Sequence, residues 1–175
     1  MVDDMDPTQL IIEALKFVFP AYCANAVPVL VGGGAAIDLG KNFVDGKPIF
    51  GKNKTFRGFF SGLVVGTGAG LAETAYFGPK SFPLLMGVLL SLGALLGDLA
   101  GAFVKRRVGL APGDLLPVVD QLDFIIGAMV ISLPLSLSLS VFSWELVLAA
   151  FIITLPIHLL TNFAAYKLKL KKNPW

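Results

Sequence analysis

The sequence predicts an all-α integral membrane protein with about five transmembrane helices, from its composition, its apolar stretches and the placement of its basic residues. Of the 175 residues, 55% are hydrophobic and 15% are charged, and the mean hydropathy is +0.78. Soluble domains are less apolar, at roughly 45–50% even when glycine is counted. A helix needs about 20 apolar residues to cross a membrane, so five helices fill most of the chain. We therefore expect residues 1–175 to form a single transmembrane domain with short loops.

Five apolar stretches predict the helices in order along the chain. They run from about Leu10 to Val31, Gly58 to Phe77, Phe82 to Val104, Pro117 to Leu139 and Trp144 to Tyr166. The first stretch contains Pro20, Asn25 and Pro28, and proline removes a backbone donor and bends a helix. The sequence therefore predicts that this helix is either broken or partly buried among the others, and it leaves open whether the helix is continuous.

Two of the predicted helices carry glycine at every fourth residue. The second helix has such a row from Gly58 to Gly70, and the third has one from Gly93 to Gly101. Small residues at this spacing make a smooth helix face on which another backbone packs closely. We expect these rows to serve helix packing and to bring the second and third helices together.

Lysine and arginine residues concentrate in alternate loops. Twelve of the 14 lie between the first and second helices, between the third and fourth, or after the fifth. Basic loops remain in the cytoplasm, so we expect both loops and the C-terminus to be cytoplasmic and the N-terminus to be outside. Four or six helices would separate the basic tail from the basic loops. Five helices in the cell membrane therefore fit the charge pattern best.

Acidic residues lie near the cytoplasmic ends of the third and fourth helices. Asp98 falls inside the third stretch, Asp114 in the next loop, and Asp120 and Asp123 in the first turns of the fourth helix. Charges at membrane depth are costly and usually line a site. For Asp120 and Asp123 an alternative is stabilisation of the helix N-terminus, where an anion gains about 0.3–1 kcal/mol.

The four carboxylates are interleaved with Lys105, Arg106 and Arg107. Oxygen ligands of this kind suit Mg²⁺, which is often bound by one or two carboxylates together with substrate phosphates. Adjacent basic side chains would neutralise the remaining charge of a polyphosphate. The pattern therefore favours phosphoryl or nucleotidyl transfer, in which positioning and charge neutralisation dominate.

The loop IDLGKNFVDGKPIFGKNKTFRG indicates phosphate binding as well. Its GKPIFGKN segment departs from the P-loop pattern, because Asn53 stands where Ser or Thr is required and no α/β context surrounds it. The glycines expose backbone N–H groups, and Lys52, Lys54, Thr55 and Arg57 supply further donors. A loop resting on anionic lipid headgroups is the alternative, which explains the charge but not the Gly, Asn and Thr residues.

The segment GDLAGAFVKRRVGLAPGDLLPVVDQLDF resembles the C-terminal signature of membrane CTP-dependent cytidylyltransferases, the CDP-diacylglycerol synthase group. It departs from the bacterial form in reading VDQLD instead of LDRxD, and the chain is far shorter. Both departures fit the archaeal CDP-archaeol synthases, which the chain resembles from end to end. That resemblance rests on PAYCANAVPVLVGGG, the first basic loop and PGDLLPVVDQLDFIIGA, in order.

The resemblance implies a reaction between CTP and the lipid 2,3-bis-O-(geranylgeranyl)-sn-glycerol 1-phosphate, with Mg²⁺ as cofactor. The products would be unsaturated CDP-archaeol and diphosphate. It also implies the bilayer, CTP and an isoprenoid glycerol phosphate as partners, and no nucleic acid. The same chemistry on phosphatidate is an alternative. A small ion-coupled or proton-coupled transporter is another, although we find no inverted repeat.

The resemblance and the charge pattern together give three sets of candidate residues. The catalytic set is Asp98, Lys105, Arg106, Asp120 and Asp123. The metal set is Asp98, Asp114, Asp120 and Asp123. The set expected to bind CTP or the lipid phosphate is Asn25, Lys41, Lys52, Asn53, Lys54, Thr55 and Arg57.

Overall fold

The computed structural model describes residues 6–171, and five α-helices form within them. The helices are α1 (Pro7–Val31), α2 (Phe56–Phe77), α3 (Leu84–Arg107), α4 (Val119–Ser138) and α5 (Trp144–Lys167). Every helix end lies within three residues of its predicted position, which confirms the all-α fold class. The predicted basic tail is described as far as Lys171, and Lys172 lies outside the described residues.

Helix α1 is continuous even though Pro20 and Pro28 lie inside it. It begins at Asp6, whose carboxylate accepts hydrogen bonds from the backbone N–H groups of Thr8 (2.7 Å) and Gln9 (3.0 Å). Ala14, Val18 and Ala24 on this helix are fully buried. The predicted burial of α1 is therefore confirmed, and the alternative of a broken helix is wrong.

The carbonyl group of Ala24 packs against α2. Pro28 has no N–H to offer the Ala24 oxygen four residues earlier, and this oxygen lies so close to Gly62 that an added Cβ would be 2.5 Å away. Weak Cα–H donors recur at such close helix contacts. Because Gly62 has no side chain, α2 packs closely on α1 at this carbonyl group.

Four of the five helices are long and apolar enough to cross a membrane, namely α1, α3, α4 and α5. Helix α2 is less apolar because it contains five glycines and Glu73. Its 22 residues nevertheless extend about 33 Å at 1.5 Å per residue, and it packs against α1 and α3. The number of helices is confirmed, and a membrane crossing by α2 stays a prediction.

The two glycine rows have different partners. The α2 row packs on α1 and also meets α3, where Gly70 opposes Gly87, which confirms that α2 and α3 touch. Gly93 and Gly97, however, pack against Gly127 of α4, so the α3 row serves the contact with α4. Gly87 and Gly93 are six residues apart, and a period of 3.6 places them on different helix faces.

Both long loops and the C-terminal tail lie at one end of the bundle. Asp45 of the first loop accepts a hydrogen bond from Arg107 at the end of α3 (2.9 Å), and Lys47 donates to the Arg107 carbonyl (2.9 Å). Lys171 of the tail donates to Asn162 near the same end of α5 (3.0 Å). The prediction that the basic segments lie at the same end of the helix bundle is therefore confirmed.

The packing of α2 on α1 predicts that substitution of Gly62 by alanine destabilises the bundle. The new methyl group would overlap the Ala24 carbonyl, whereas nothing lies within 4 Å of a Cβ at Gly68 on the same helix. Overpacking costs about 1–3 kcal/mol, so we expect Gly62→Ala to lower Tm by roughly 2–12 °C. Thermal unfolding of the detergent-solubilised protein measures this, with Gly68→Ala as the control. Equal Tm values for the two variants would contradict the packing argument.

Candidate active site

Asp38 organises the first loop, residues 32–55. Its carboxylate is 6% exposed and accepts backbone hydrogen bonds from Gly40 (3.0 Å), Phe50 (3.0 Å) and Gly51 (2.7 Å). Burial by itself raises the pKa of Asp38, but these donors outweigh burial and lower that pKa below its ordinary value. The ionised carboxylate therefore holds the two halves of the loop together. Asp38 is not among the predicted residues, although an aspartate followed by glycine two residues later is a turn signal.

Arg107 fastens this loop to α3. Its guanidinium donates to Asp45 and to the carbonyl oxygens of Lys47 (3.3 Å) and Pro48. The same group lies 4.8 Å from the ring centre of Phe43 and 4.7 Å from that of Phe103. Cation–π contacts of this kind add to the ion pair. The loop is thus docked on the end of α3, beside the acidic residues.

Two acid–base pairs lie beneath the docked loop. Lys54 Nζ is 2.6 Å from both carboxylate oxygens of Asp98, and Lys105 Nζ is 2.7 Å from Asp120 Oδ2. Each lysine belongs to a different segment from its aspartate, so the pairs join the first loop to α3 and α3 to α4. The structure therefore brings four of the predicted site residues together.

Asp123 joins this group from α4. Its carboxylate packs against Gly101 of α3, where any Cβ would overlap it, and its Oδ1 accepts from the Phe124 N–H (2.6 Å). The charges of Asp98, Lys54 and Asp120 all act on it. Three carboxylates and two ammonium groups thus share one region between α2, α3 and α4.

The chain enters α4 through a strained γ-turn that sets the position of Asp120. Val118 has φ 68° and ψ −49°, and the Val119 N–H donates to the Pro117 carbonyl (2.8 Å). This conformation is rare and costly for a β-branched residue. Asp120 Oδ2 also accepts a hydrogen bond from the Leu116 N–H (3.0 Å). The carboxylate of Asp120 therefore binds both Lys105 and the backbone that leads into α4.

Arg106 is buried beside the site with donors to spare. Its side chain is 5% exposed, and Nη2 donates to the Ala111 carbonyl (3.3 Å). Within residues 6–171, Nε and Nη1 have no hydrogen-bond acceptor. A buried charged donor left unpaired costs free energy, so the guanidinium suits an anionic ligand.

Three other predicted residues form hydrogen bonds with the loops and helix ends that surround the site. Thr55 begins α2, where its hydroxyl accepts from the Gly58 N–H (3.1 Å). Arg57 donates to the carbonyl oxygens of Val31 (2.8 Å) and Gly32 at the end of α1. Asp114 is exposed and accepts from the Ala111 N–H (2.7 Å). These contacts direct the three side chains to the loops and helix ends, away from the central carboxylates.

The side chains of the remaining predicted residues make no hydrogen bond to the described part of the chain. Lys41, Lys52 and Asn53 are exposed on the first loop, and Asn25 is half-buried on α1. Lys52 and Asn53 immediately precede Lys54, so they lie at the edge of the site. Their role in substrate binding stays a prediction.

The carboxylates have the chemistry of a Mg²⁺ site, although they are not arranged as one. Over residues 6–171, no three His, Cys, Asp or Glu side chains form a group that could hold a metal. Lys54 and Lys105 are paired with two of the three central aspartates. Carboxylate oxygens are the ligands that Mg²⁺ prefers, and the donor set of Asp98, Asp120 and Asp123 therefore fits this ion once the lysines turn to another anion.

The all-helical fold with a charged site at one end is that of an intramembrane enzyme. A solved structure of an intramembrane enzyme for archaeal membrane lipid biosynthesis matches with a TM-score of 0.79 and 36% sequence identity, over 87% of this chain and 94% of that chain. The model of the family described as "CarS-like: CDP-archaeol synthase" matches residues 8–175. The chain belongs to the CDP-archaeol synthase family.

Individual relatives agree over nearly their whole length. The CDP-archaeol synthase of Pyrococcus furiosus is 44% identical, with 94% of this chain and 98% of the relative covered. Those of Methanocaldococcus jannaschii and Sulfolobus acidocaldarius are 35% and 37% identical, with 95% and 92% of this chain and 98% and 96% of the relatives covered. The family that the sequence motifs indicated is thereby confirmed, together with cytidylyl transfer in archaeal lipid biosynthesis.

The contacts of Asp38 predict that Asp38→Asn opens the first loop. The amide would present N–H donors where the carboxylate now accepts hydrogen bonds from backbone N–H groups, and bonds to a charged group contribute about 1.5–3 kcal/mol. We expect tryptic cleavage at the lysines of residues 41–54 to accelerate about tenfold or more. The isosteric change Asp114→Asn in the other loop is the control.

The lowered pKa of Asp38 also fixes the pH dependence of this difference. The contribution of Asp38 is fully present above its unfolded pKa of about 3.9, and is lost only as pH falls through the lower folded pKa. The ratio of cleavage rates between Asp38→Asn and the unmodified protein should therefore be equal at pH 6 and pH 8. A ratio that is markedly smaller at pH 6 than at pH 8 would exclude an ionised Asp38 as the organising group.

Proposed function

We propose that this enzyme transfers CMP from CTP to 2,3-bis-O-(geranylgeranyl)-sn-glycerol 1-phosphate and releases diphosphate. The observation that carries the proposal is the presence of two ion pairs, Lys54 with Asp98 and Lys105 with Asp120, whose charges act on Asp123. A metal–nucleotide complex carries both kinds of charge that these pairs supply. Family membership supports the nucleotide and the lipid phosphate as substrates.

Substrate binding amounts to an exchange of ionic partners. In the free protein the lysines and aspartates neutralise one another, which limits the cost of holding charges in a partly buried region. Asp98, Asp120 and Asp123 would hold Mg²⁺, and Lys54 and Lys105 would turn to phosphate oxygens. Bound there, Mg²⁺ would neutralise the phosphates and polarise the reacting phosphorus.

Arg106 supplies a further contact to the triphosphate. Its Nε and Nη1 atoms are buried and unbonded among the described residues, and guanidinium binds phosphate through two parallel hydrogen bonds. We place it on the outer phosphates, since it lies next to Lys105 at the end of α3. There it would neutralise charge that develops on the leaving diphosphate.

The reaction needs no general base. An oxygen of the lipid phosphate is already anionic at neutral pH and attacks the α-phosphorus of CTP in line. The bond between this phosphorus and the oxygen bridging to the β-phosphorus breaks, and that electron pair leaves with diphosphate. Lys54, Lys105 and Arg106 therefore act by position and charge, as is usual for transfer at phosphorus.

The orientation in the membrane follows from the charged end. The loops and tail that carry most of the lysines and arginines lie at this end, and such segments remain cytoplasmic. We place the site at the cytoplasmic surface, where CTP is available. The lipid would reach it laterally between helices, with its geranylgeranyl chains still in the bilayer.

The ion pair of Asp98 predicts that Asp98→Asn abolishes turnover without unfolding the protein. Loss of this anion removes a metal ligand and the partner of Lys54, and we expect kcat to fall roughly 100-fold or more. Diphosphate release by the detergent-purified protein with CTP, Mg²⁺ and the geranylgeranylated lipid measures this. Asp6→Asn is the matched control, because asparagine also caps a helix and Asp6 lies at the other end of α1. Full activity of Asp98→Asn would refute the assignment.

The same assay decides between ether and ester lipids. We expect release with the geranylgeranylated glycerol phosphate to exceed that with phosphatidate at equal surface concentration. Comparable or greater release with phosphatidate would reassign the acceptor. No release with either lipid, from protein whose thermal unfolding is cooperative, would overturn the proposed reaction.

The central carboxylates predict a divalent-cation requirement that a chelator reveals. We expect EDTA to stop turnover and excess Mg²⁺ to restore it. Mn²⁺, which prefers similar ligands, should bind the protein in the presence of CTP and the absence of lipid, as read by the paramagnetic resonance spectrum of the protein-bound ion. Asp123→Asn should weaken that binding about tenfold or more, and Asp6→Asn should not. Turnover that persists after complete chelation would eliminate the metal from the proposal.

A further inference from the structure

The chain turns back on itself directly after α5. The Leu170 N–H donates to the Ala165 carbonyl (2.9 Å), and the Lys169 N–H donates to the Tyr166 carbonyl (2.9 Å). Lys169 between them has a left-handed φ of 59°. These two bonds with a left-handed residue form a Schellman motif. The tail is thereby reversed, and Lys171 returns alongside α5 toward the carboxylates.

Lys171 is held in place by a polar side chain of α5. Its Nζ donates to Asn162 Oδ1 (3.0 Å), although nine residues separate the two. Asn162 Nδ2 lies 3.0 Å from His158 Nδ1, one turn earlier. The His158 ring in turn stacks on Phe124, with ring centres 5.6 Å apart. Phe124 is fully buried and follows Asp123 in the chain.

This series of contacts connects the tail to the acidic group. Phe124 anchors His158, His158 orients the Asn162 amide, and the amide oxygen receives the Lys171 ammonium group. In the sequence, Lys171 is one of several lysines in the basic tail. Nothing in the local sequence distinguishes it from Lys169, which is exposed.

The charges around Lys171 are those of the proposed site. Lys54, Lys105, Asp98 and Asp120 all act electrostatically on its ammonium group. Its burial, followed by the proximity of Lys54, lowers the pKa of Lys171. A third ammonium group brought into this region is compensated by the aspartates.

We infer that Lys171 binds a substrate phosphate, and that Asn162 and His158 are the residues that position it. The inference rests on the proposed function and extends the site to a segment of the chain outside both loops. The ligand chemistry is a phosphate oxygen, either of the nucleoside triphosphate or of the lipid headgroup. We assign it to the nucleotide, because Lys171 shares its neighbours with Lys54 and Lys105.

Replacement of Lys171 by methionine tests this assignment, with Lys169→Met as a matched control. Both changes remove one charge from the same tail, so any effect of net charge on membrane association is common to them. We expect Lys171→Met to raise the Kd for Mg·CTP, measured calorimetrically without lipid, and the KM for CTP about tenfold or more. Lys169→Met should leave both unchanged, and Lys171→Arg should retain most of the affinity.

The outcomes separate the two sources of phosphate and a purely structural role. A rise confined to the KM for the lipid, with CTP binding intact, would overturn the assignment to the nucleotide. A lowered Tm in Lys171→Met with unchanged Kd and KM values would reduce Lys171 to an anchor of the tail. Equal constants for Lys171→Met and Lys169→Met in an active enzyme would overturn the inference while the proposed function stands. If the unmodified and folded protein makes no product, that result would instead refute the proposed function.

The positioning role of Asn162 is tested by a double-mutant cycle. Asn162→Leu should raise the Kd for Mg·CTP several-fold in the unmodified protein. In the Lys171→Met background the same change should raise it no further, because the residue that Asn162 positions is already absent. Additive increases would show that Asn162 does not act through Lys171.

Discussion

The close approach of α3 and α4 is the constraint on which the site depends. Gly97 and Gly101 leave no room for a side chain, and the Asp123 backbone and carboxylate occupy the space. Helices in a membrane associate through such close packing, since burial of apolar surface gives no advantage over lipid. The packing motif and the acidic residue are thus one feature. A larger residue in place of Gly97 or Gly101 would both separate α3 from α4 and displace the Asp123 carboxylate.

Charge balance is the second condition, since ionised groups at membrane depth are costly. Each of Asp98 and Asp120 has a lysine partner from another segment. These pairs join the first loop to α3 and α3 to α4. In the proposed reaction, a metal–nucleotide complex would replace the partner of each of these charges.

The two loops and the tail form a frame around these pairs. Asp38 gathers the first loop through backbone hydrogen bonds, and Arg107 docks it on α3. Thr55 and Arg57 use their side chains at helix ends, so residues that resembled ligands in the sequence serve the frame. The glycine-rich loop around Lys54 is therefore held by hydrogen bonds, with Lys52 and Asn53 at its exposed edge.

The sequence by itself determined the number of the helices and their bounds to within three residues, and it indicated the acidic residues of the proposed site. Helix bounds depend on local apolar length, and charges within such stretches are rare enough to be conspicuous. Only the tertiary structure decided that the α3 glycines face α4, that Lys54 pairs with Asp98 and that Arg57 serves α1. It also decided that Lys171, alone among the described tail lysines, hydrogen-bonds to Asn162. Such contacts join residues far apart in the chain, and they depend on helix rotation and loop path, which local pattern does not encode.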